Sequence, residues 1–384
     1  MMERECRSHR IRRWKIASIF LTLVCGPAWV GLADEIVLRN GNAITDLVIK
    51  MNVDGVHFKG RVVGWDEVDT GRVTGGKQAE FDKFRESLGL KLFRIRSRLE
   101  TGDYIDLLRH VEDIYPTYVN RRSKTAYMVF QGLMWARLAK GLRAEALEPY
   151  FQCYIYLRSL GQSPVQLPGD RRLNWDPETG MTADIPPVWF DAKTARSTLP
   201  KVQAVVRALP GTPPAAAFIY YGTLAMAAGD RPVAEEFLRH ELLVQMASRN
   251  KGVAQLQQVV LSQLDILDGK HAAVISRLKG SWRSYSKSNQ AIALYWLGQA
   301  GVGSVVPGQR EEGMLRLLYL PALYGTESPE LAGAGLYHSM KTMNELKQTK
   351  AVQSLRKELM TDFGHTYFGR QVLKEINQAT DEKP

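Results

Sequence analysis

Four carboxylates, Asp176, Glu178, Asp184 and Asp191, are interleaved with two indoles, Trp175 and Trp189. Carboxylates on an irregular loop suit a hard cation such as Ca2+, and indole faces suit a sugar ring. The spacing follows no known Ca2+ loop. The plainer reading is a loop that packs its aromatic side chains and leaves its acids in water. These six residues are the candidate partner- or ligand-binding positions. Elsewhere the chemistry is sparse. After residue 33 the histidines are His57, His110, His240, His271, His338 and His365, and no two are spaced as a metal pair on one helix face. There is no Gly-x-Ser-x-Gly, no phosphate-cradling loop and no His-Glu-x-x-His. Gly298 to Gly303 reads Gly-Gln-Ala-Gly-Val-Gly but follows a helical pattern, not the strand a dinucleotide loop needs. No catalytic residue, metal ligand or cofactor is expected. Cys153, the one cysteine after residue 33, lies in an apolar run and reads as a small core residue.

The elements that must carry these residues fall into blocks. Residues 34–74 predict a small β-meander or barrel-like unit of three to five short strands, docked against the helices. Asn40-Gly41 reads as a two-residue hairpin turn with positive φ at both positions, and Asp54-Gly55 as the next turn. From 75 to 160 the pattern is helical. Phe81, Phe84, Leu88, Leu92, Ile95 and Leu99 form one face of a long helix. A second helix runs from Tyr104 towards Pro116, and helical texture resumes from Lys124 to Leu160 with a break at Gly141. Residues 161–191 are rich in proline and glycine and predict an irregular insertion. Its length exceeds the usual ~12–15 residues of a structureless loop, which marks it as functional or disordered, and its apolar content favours packing. Helices are expected over 192–209, 214–228, 231–248, 252–268, 271–280, 288–300, 310–320, 329–344, 346–362 and 366–378, within a second helical segment spanning 192–384.

Phe218, Tyr221-Gly222, Ala225, Gly229-Asp230, Ala234 and Leu238 carry a further pattern. It resembles a tetratricopeptide repeat: a first helix with small positions, a Gly-Asp turn, and a second helix opened by a packed alanine. Gly222 would let the two helices approach, and Gly229 would permit the reversal. Gly141 before Ala146, Gly102-Asp103 before Leu107, and Gly269 before Val274 repeat the turn more faintly, at uneven spacing. The resemblance implies a mainly α fold, an α-solenoid of degenerate helical hairpins, and a protein or peptide partner on a concave face.

The chain opens with Arg4, Arg7, Arg10, Arg12, Arg13 and Lys15, then an apolar run from Ile16 to Val24, then Gly26-Pro27 and small residues at Gly31 and Ala33. That order is the pattern of a cleavable signal peptide over residues 1–33, with cleavage after Ala33 preferred to cleavage after Ala28. The apolar run is short of the ~20 residues of a spanning helix. The residue pattern therefore predicts a protein exported to the periplasm or outside the cell, with no transmembrane segment after cleavage. Taking six basic and two acidic residues with the signal from totals of 51 and 40 leaves 45 against 38, a net +7. No basic run or stacking-aromatic pattern points to nucleic acid. The expectation is a non-enzymatic scaffold in the cell envelope. The alternative is an exported enzyme or ligand-binding protein with a site beneath residues 161–191. That segment is expected to lie over the helices and to be removable, over 165–187, without loss of fold.

Overall fold

The computed structural model describes residues 33–160 and 168–381; all but Ala33 of the predicted signal peptide lies outside them. The chain is mainly helical, with a small N-terminal antiparallel β-region. Strands β1 (Glu35–Leu38), β2 (Ala43–Thr45) and β6 (Val68–Arg72) form one sheet in the order β2-β1-β6. Strands β3 (Lys50–Asn52), β4 (Gly55–Phe58) and β5 (Arg61–Val63) form a second. The second sheet is the expected meander of consecutive strands; the first departs from it, because β6 returns to pair with β1, and the six strands exceed the expected three to five. The closure has a local cause. The buried Asp34 carboxylate accepts from Val48 N at 2.7 Å, from Thr74 N at 2.6 Å and from Thr74 Oγ1 at 2.7 Å, so it ties both ends of the β-region together. The Asn40-Gly41 turn is corrected too. Val37 pairs with Ala43, which leaves a longer connection, and only Gly41 has positive φ.

The β-region shares its core with the first helices. α1 (Gln78–Phe84) runs through a π-helical turn at Arg85–Gly89 into α2 (Leu90–Thr101). Trp65 sits against Phe81 and Phe84 with ring centroids 5.5 and 5.6 Å away. The near-fully buried Asp66 accepts from Arg96 Nη1 of α2 at 2.6 Å, and Glu67 accepts from the same nitrogen at 3.0 Å. α3 (Tyr104–Val111) ends earlier than its apolar pattern suggests and gives way to the single turn α4 (Tyr115–Tyr118). Tyr118 donates to Val53 O at 2.6 Å. α5 (Lys124–Ala139) starts at Ser123, whose hydroxyl donates to Asp54 at 2.6 Å, and α6 (Leu147–Leu160) comes next.

Beyond the Pro-rich segment come α7 (Ala192–Arg207), α8 (Ala215–Ala228), α9 (Arg231–Leu238), α10 (Glu241–Arg249), α11 (Lys251–Leu267) and α12 (His271–Lys279). The remaining helices are α13 (Lys287–Val302), α14 (Gln309–Tyr324), α15 (Pro329–Glu345), α16 (Thr349–Asp362) and α17 (Tyr367–Asp381). The expected 231–248 helix is split, because His240 leaves the helix and its Nδ1 accepts from Leu242 N at 3.2 Å. α14 continues through Pro321 instead of stopping before it. Proline supplies no N–H to the carbonyl four residues back, here that of Leu317. Gly335 of α15 lies against this carbonyl so closely that a Cβ would stand 2.4 Å from its oxygen. Most consecutive helices pack on each other, though α10 packs on α8 and α11 rather than on α9, and α13 also touches α11 and α15, as α15 touches α17.

The α8–α9 turn agrees with the sequence pattern. Gly229 has φ +86°, Asp230 caps α9 by accepting from Val233 N, and a Cβ on Gly222 would lie 2.7 Å from Leu238 Cγ. Open space surrounds Gly229, so Gly229→Val meets only the cost of a left-handed backbone. Chemical denaturation should show a loss of about 1–3 kcal/mol. An unchanged midpoint would mean the turn can refold around valine.

α8 is buried on all sides. Tyr220, Tyr221 and Leu224 belong to the core shared with the β-region, while Phe218, Ile219 and Met226 belong to the core of the later helices. In that second core His338 of α15 packs among Tyr337 and Phe368, with Nε2 3.3 Å from the Tyr295 hydroxyl. Burial, aided by Lys341, lowers its pKa to about 4. An imidazole held neutral in the fold charges more readily in the unfolded chain. Stability contributed by this site is therefore complete above the ordinary pKa near 6.5 and lost as pH falls towards 4. The loss should approach about 3 kcal/mol, and His338→Phe should flatten the pH 4–6.5 part of the stability curve.

Candidate functional site

The Pro-rich segment 168–191 is fixed from several sides. Trp175 pairs with Thr182 across a tight loop, in which Asp176 N donates to Met181 O at 2.8 Å and Asp176 Oδ1 accepts from Glu178 N at 2.9 Å. Tyr150 donates to Gly180 O. Tyr220 meets both the N–H and the carbonyl of Thr182 at 3.3 Å. Thr179 O accepts from Ala216 N at 2.8 Å and so serves the start of α8. Ile185 is fully buried and Val188 nearly so. The burial of Leu173 and Ile185 in the core argues against the expectation that residues 165–187 could be removed without loss of fold.

One wall of a groove of about 800 Å3 is made by this segment, through Trp175, Asp176, Thr179, Met181, Thr182 and Pro186. The opposite wall comes from α8 at Ile219, from α11 at Gly252, Val253 and Leu256, from α13 at Ser286 to Asn289 and Ile292, and from Tyr324, Glu327 and Ser328. The groove therefore runs past the N-terminal ends of α11, α13 and α15. Asn250 caps α11 by accepting from Val253 N, but among the described residues no side chain caps α13 or α15. The first N–H groups of a helix have no partner within it and carry the positive end of its dipole. Asn289 is held by a bond to Gly252 O at 3.2 Å, and Tyr324 donates to Gln290 at 2.7 Å. Lys287 and Glu327 pair across the mouth. Such a lining offers apolar contact along its length and backbone donors at one edge.

The six residues singled out from the sequence do not converge. Trp175 and Asp176 line the groove, with Trp175 edge-on to Tyr154 at 4.7 Å. Glu178 is exposed and accepts from Asn250 Nδ2. Asp184 pairs with Arg171 at 3.1 Å. Trp189 is buried and donates to Thr223 Oγ1 at 3.0 Å. Asp191 caps α7, accepting from Lys193 N at 2.9 Å and from Thr194 Oγ1 at 2.6 Å. Burial pushes its carboxyl up, but the Thr194 and Lys193 donors outweigh that and hold it low. Each acid is thus engaged locally. Among the described residues no three His, Cys, Asp or Glu side chains are grouped to hold a metal ion. Cys153 is buried, and burial raises its thiol pKa, which keeps it protonated and unreactive. The groove residues of α13 and the α14–α15 connection went unmarked in the sequence. Their only signal is the polar run Ser286-Lys287-Ser288-Asn289 at the start of an apolar helix. No helix of the described residues is long and apolar enough to cross a membrane. Comparison with family models, curated proteins and solved structures finds no match to this chain.

Proposed function

We propose that the chain is an exported helical-repeat scaffold that binds an extended peptide segment of a protein partner in the groove beside residues 168–191. The observation that carries this reading is the line of helix starts along the groove, two of them without a side-chain cap. The first N–H groups of α13, and those of Glu330 and Leu331 behind Pro329 in α15, are suited to backbone carbonyls or an acidic side chain of a peptide. Trp175, Met181 and Ile292 supply apolar contact. Helices that pack in sequence and also touch alternate neighbours, with left-handed glycines at 102, 141, 229 and 269, favour a degenerate solenoid of tetratricopeptide-like hairpins. Export rests on the Arg-rich start and short apolar run. Mass spectrometry of protein from its host should find an N-terminus at Asp34, or at Trp29 as second choice; an intact Met1 on a protein inside the cell would overturn it.

Panning a random peptide library on the protein tests the groove. Peptides should be enriched on the parent chain and bind Ser288→Trp at least about tenfold more weakly, a difference of about 1.4 kcal/mol. Ser288 is exposed, so the substitution should leave the fold intact. Equal binding by the two proteins would move the site elsewhere.

A further inference from the structure

A second cavity lies on the other side of the Pro-rich segment and is separate from the groove. Its volume is about 90 Å3, and Arg143, Trp189, Asp191, Thr194, Glu330 and Arg370 are among its lining residues. Arg143 belongs to the turn between α5 and α6 and is only 8% exposed. Its guanidinium lies over Trp189 at 5.5 Å and Phe190 at 6.0 Å. Nη2 donates to Pro186 O, and Nε is buried with no acceptor among the described residues. Among the described residues no carboxylate lies within 4 Å of it. Buried charges are ordinarily paired, because an unpaired one carries a large desolvation cost.

The two carboxylates in the cavity wall are engaged elsewhere. Asp191 serves the first turn of α7, and Glu330 Oε2 accepts from Tyr367 N at 3.1 Å at the start of α17. Glu330 itself lies in the first turn of α15. Residues of the first turns of α7, α15 and α17 therefore line this space, together with a second guanidinium, that of Arg370, which donates to His365 O. The two acids offset part of this positive field, Glu330 acting on Arg143 itself, but among the described residues neither is within ion-pair distance of its donors. A volume of 90 Å3 is about that of three water molecules at ~30 Å3 each, which suits a group of four or five heavy atoms.

We propose that this cavity binds a small oxyanion, a carboxylate or a phosphate, between the guanidinium groups of Arg143 and Arg370. Guanidinium presents a planar fork that matches such anions, and charge-assisted bonds to it are strong. The inference stands apart from the peptide groove, and either can fail alone.

Titration calorimetry on the full chain tests it, with inorganic phosphate and acetate added separately against chloride at matched ionic strength. One saturating site per chain is expected for at least one of the two; the one that binds identifies the source as phosphate or carboxylate. Arg370→Gln, at a partly exposed position, should weaken that binding about tenfold or more, the scale of one charge-assisted bond. Arg143→Lys, which keeps the charge and loses the fork, should weaken it as well. Absence of saturable heat with both anions, or undiminished binding by Arg370→Gln, would overturn the proposal. Arg143→Gln is not needed for the decision, so a folding failure there leaves the test intact.

Discussion

Replacing residues 170–187 with a short Gly-Ser linker is expected to abolish cooperative folding of the helices around α8. The reason is the number of core groups removed together. Ile185 and Leu173 leave the interior, and a fully buried aliphatic side chain contributes roughly 1.5–3 kcal/mol. The buried hydroxyls of Tyr150 and Tyr220 lose their partners at Gly180 and Thr182, at about 1–3 kcal/mol for each orphaned group. The combined loss exceeds about 5 kcal/mol, comparable with the whole stability of many domains. Circular dichroism should show a broadened or absent thermal transition. A truncated protein that melts within a few degrees of the parent would show that the segment only rests on the surface.

Arg96→Met should cost about 3–5 kcal/mol, because it removes one member of a buried pair and strands the other. Asp66 is 6% exposed, and its carboxylate takes its closest bond from Arg96. Burial raises the Asp66 carboxyl; Arg96 opposes that rise and Glu67 adds to it. A raised carboxyl takes up a proton on folding, so stability falls as pH rises through its folded pKa. Without Arg96 the rise is larger and the penalty at neutral pH grows. Denaturant melts at pH 7 and pH 5 should show the variant's deficit shrinking at the lower pH. A second variant, Asp66→Leu with Arg96→Met, should recover much of the loss. A deficit below about 1 kcal/mol at pH 7 would mean that water reaches Asp66 and solvates it.

Much of the helical part was legible from residue order alone. Gly229, Asp230 and Ala234 act over one turn, so spacing suffices to place them, and the glycines at 102, 141 and 269 have the left-handed backbone their positions imply. What escaped depends on residues far apart. β6 returns to β1 because Asp34 reaches Thr74, a pairing no local pattern announces. The groove assembles Trp175, Asn289 and Glu327 from three separate stretches. The acids of 176–191 drew attention by their density, yet each is satisfied by a loop neighbour, a cap, an arginine or, for Glu178, the distant Asn250. Arg143 drew none, since a lone arginine after a turn glycine looks like any solvated charge until its burial is seen.

The two-sided burial of α8 bears on how the protein can be divided. A helix with apolar residues on every face has no side that tolerates water. Fragments ending just before it would expose the inner surface of one core, and fragments beginning just after it would expose the other. The chain is therefore not expected to divide into an independent β-bearing half and an independent helical half. Two-probe unfolding, one signal from Trp65 in the first core and one from Trp296 in the second, should trace a single curve. α8 thus works as a party wall: it belongs to both rooms, and neither stands once it is taken down.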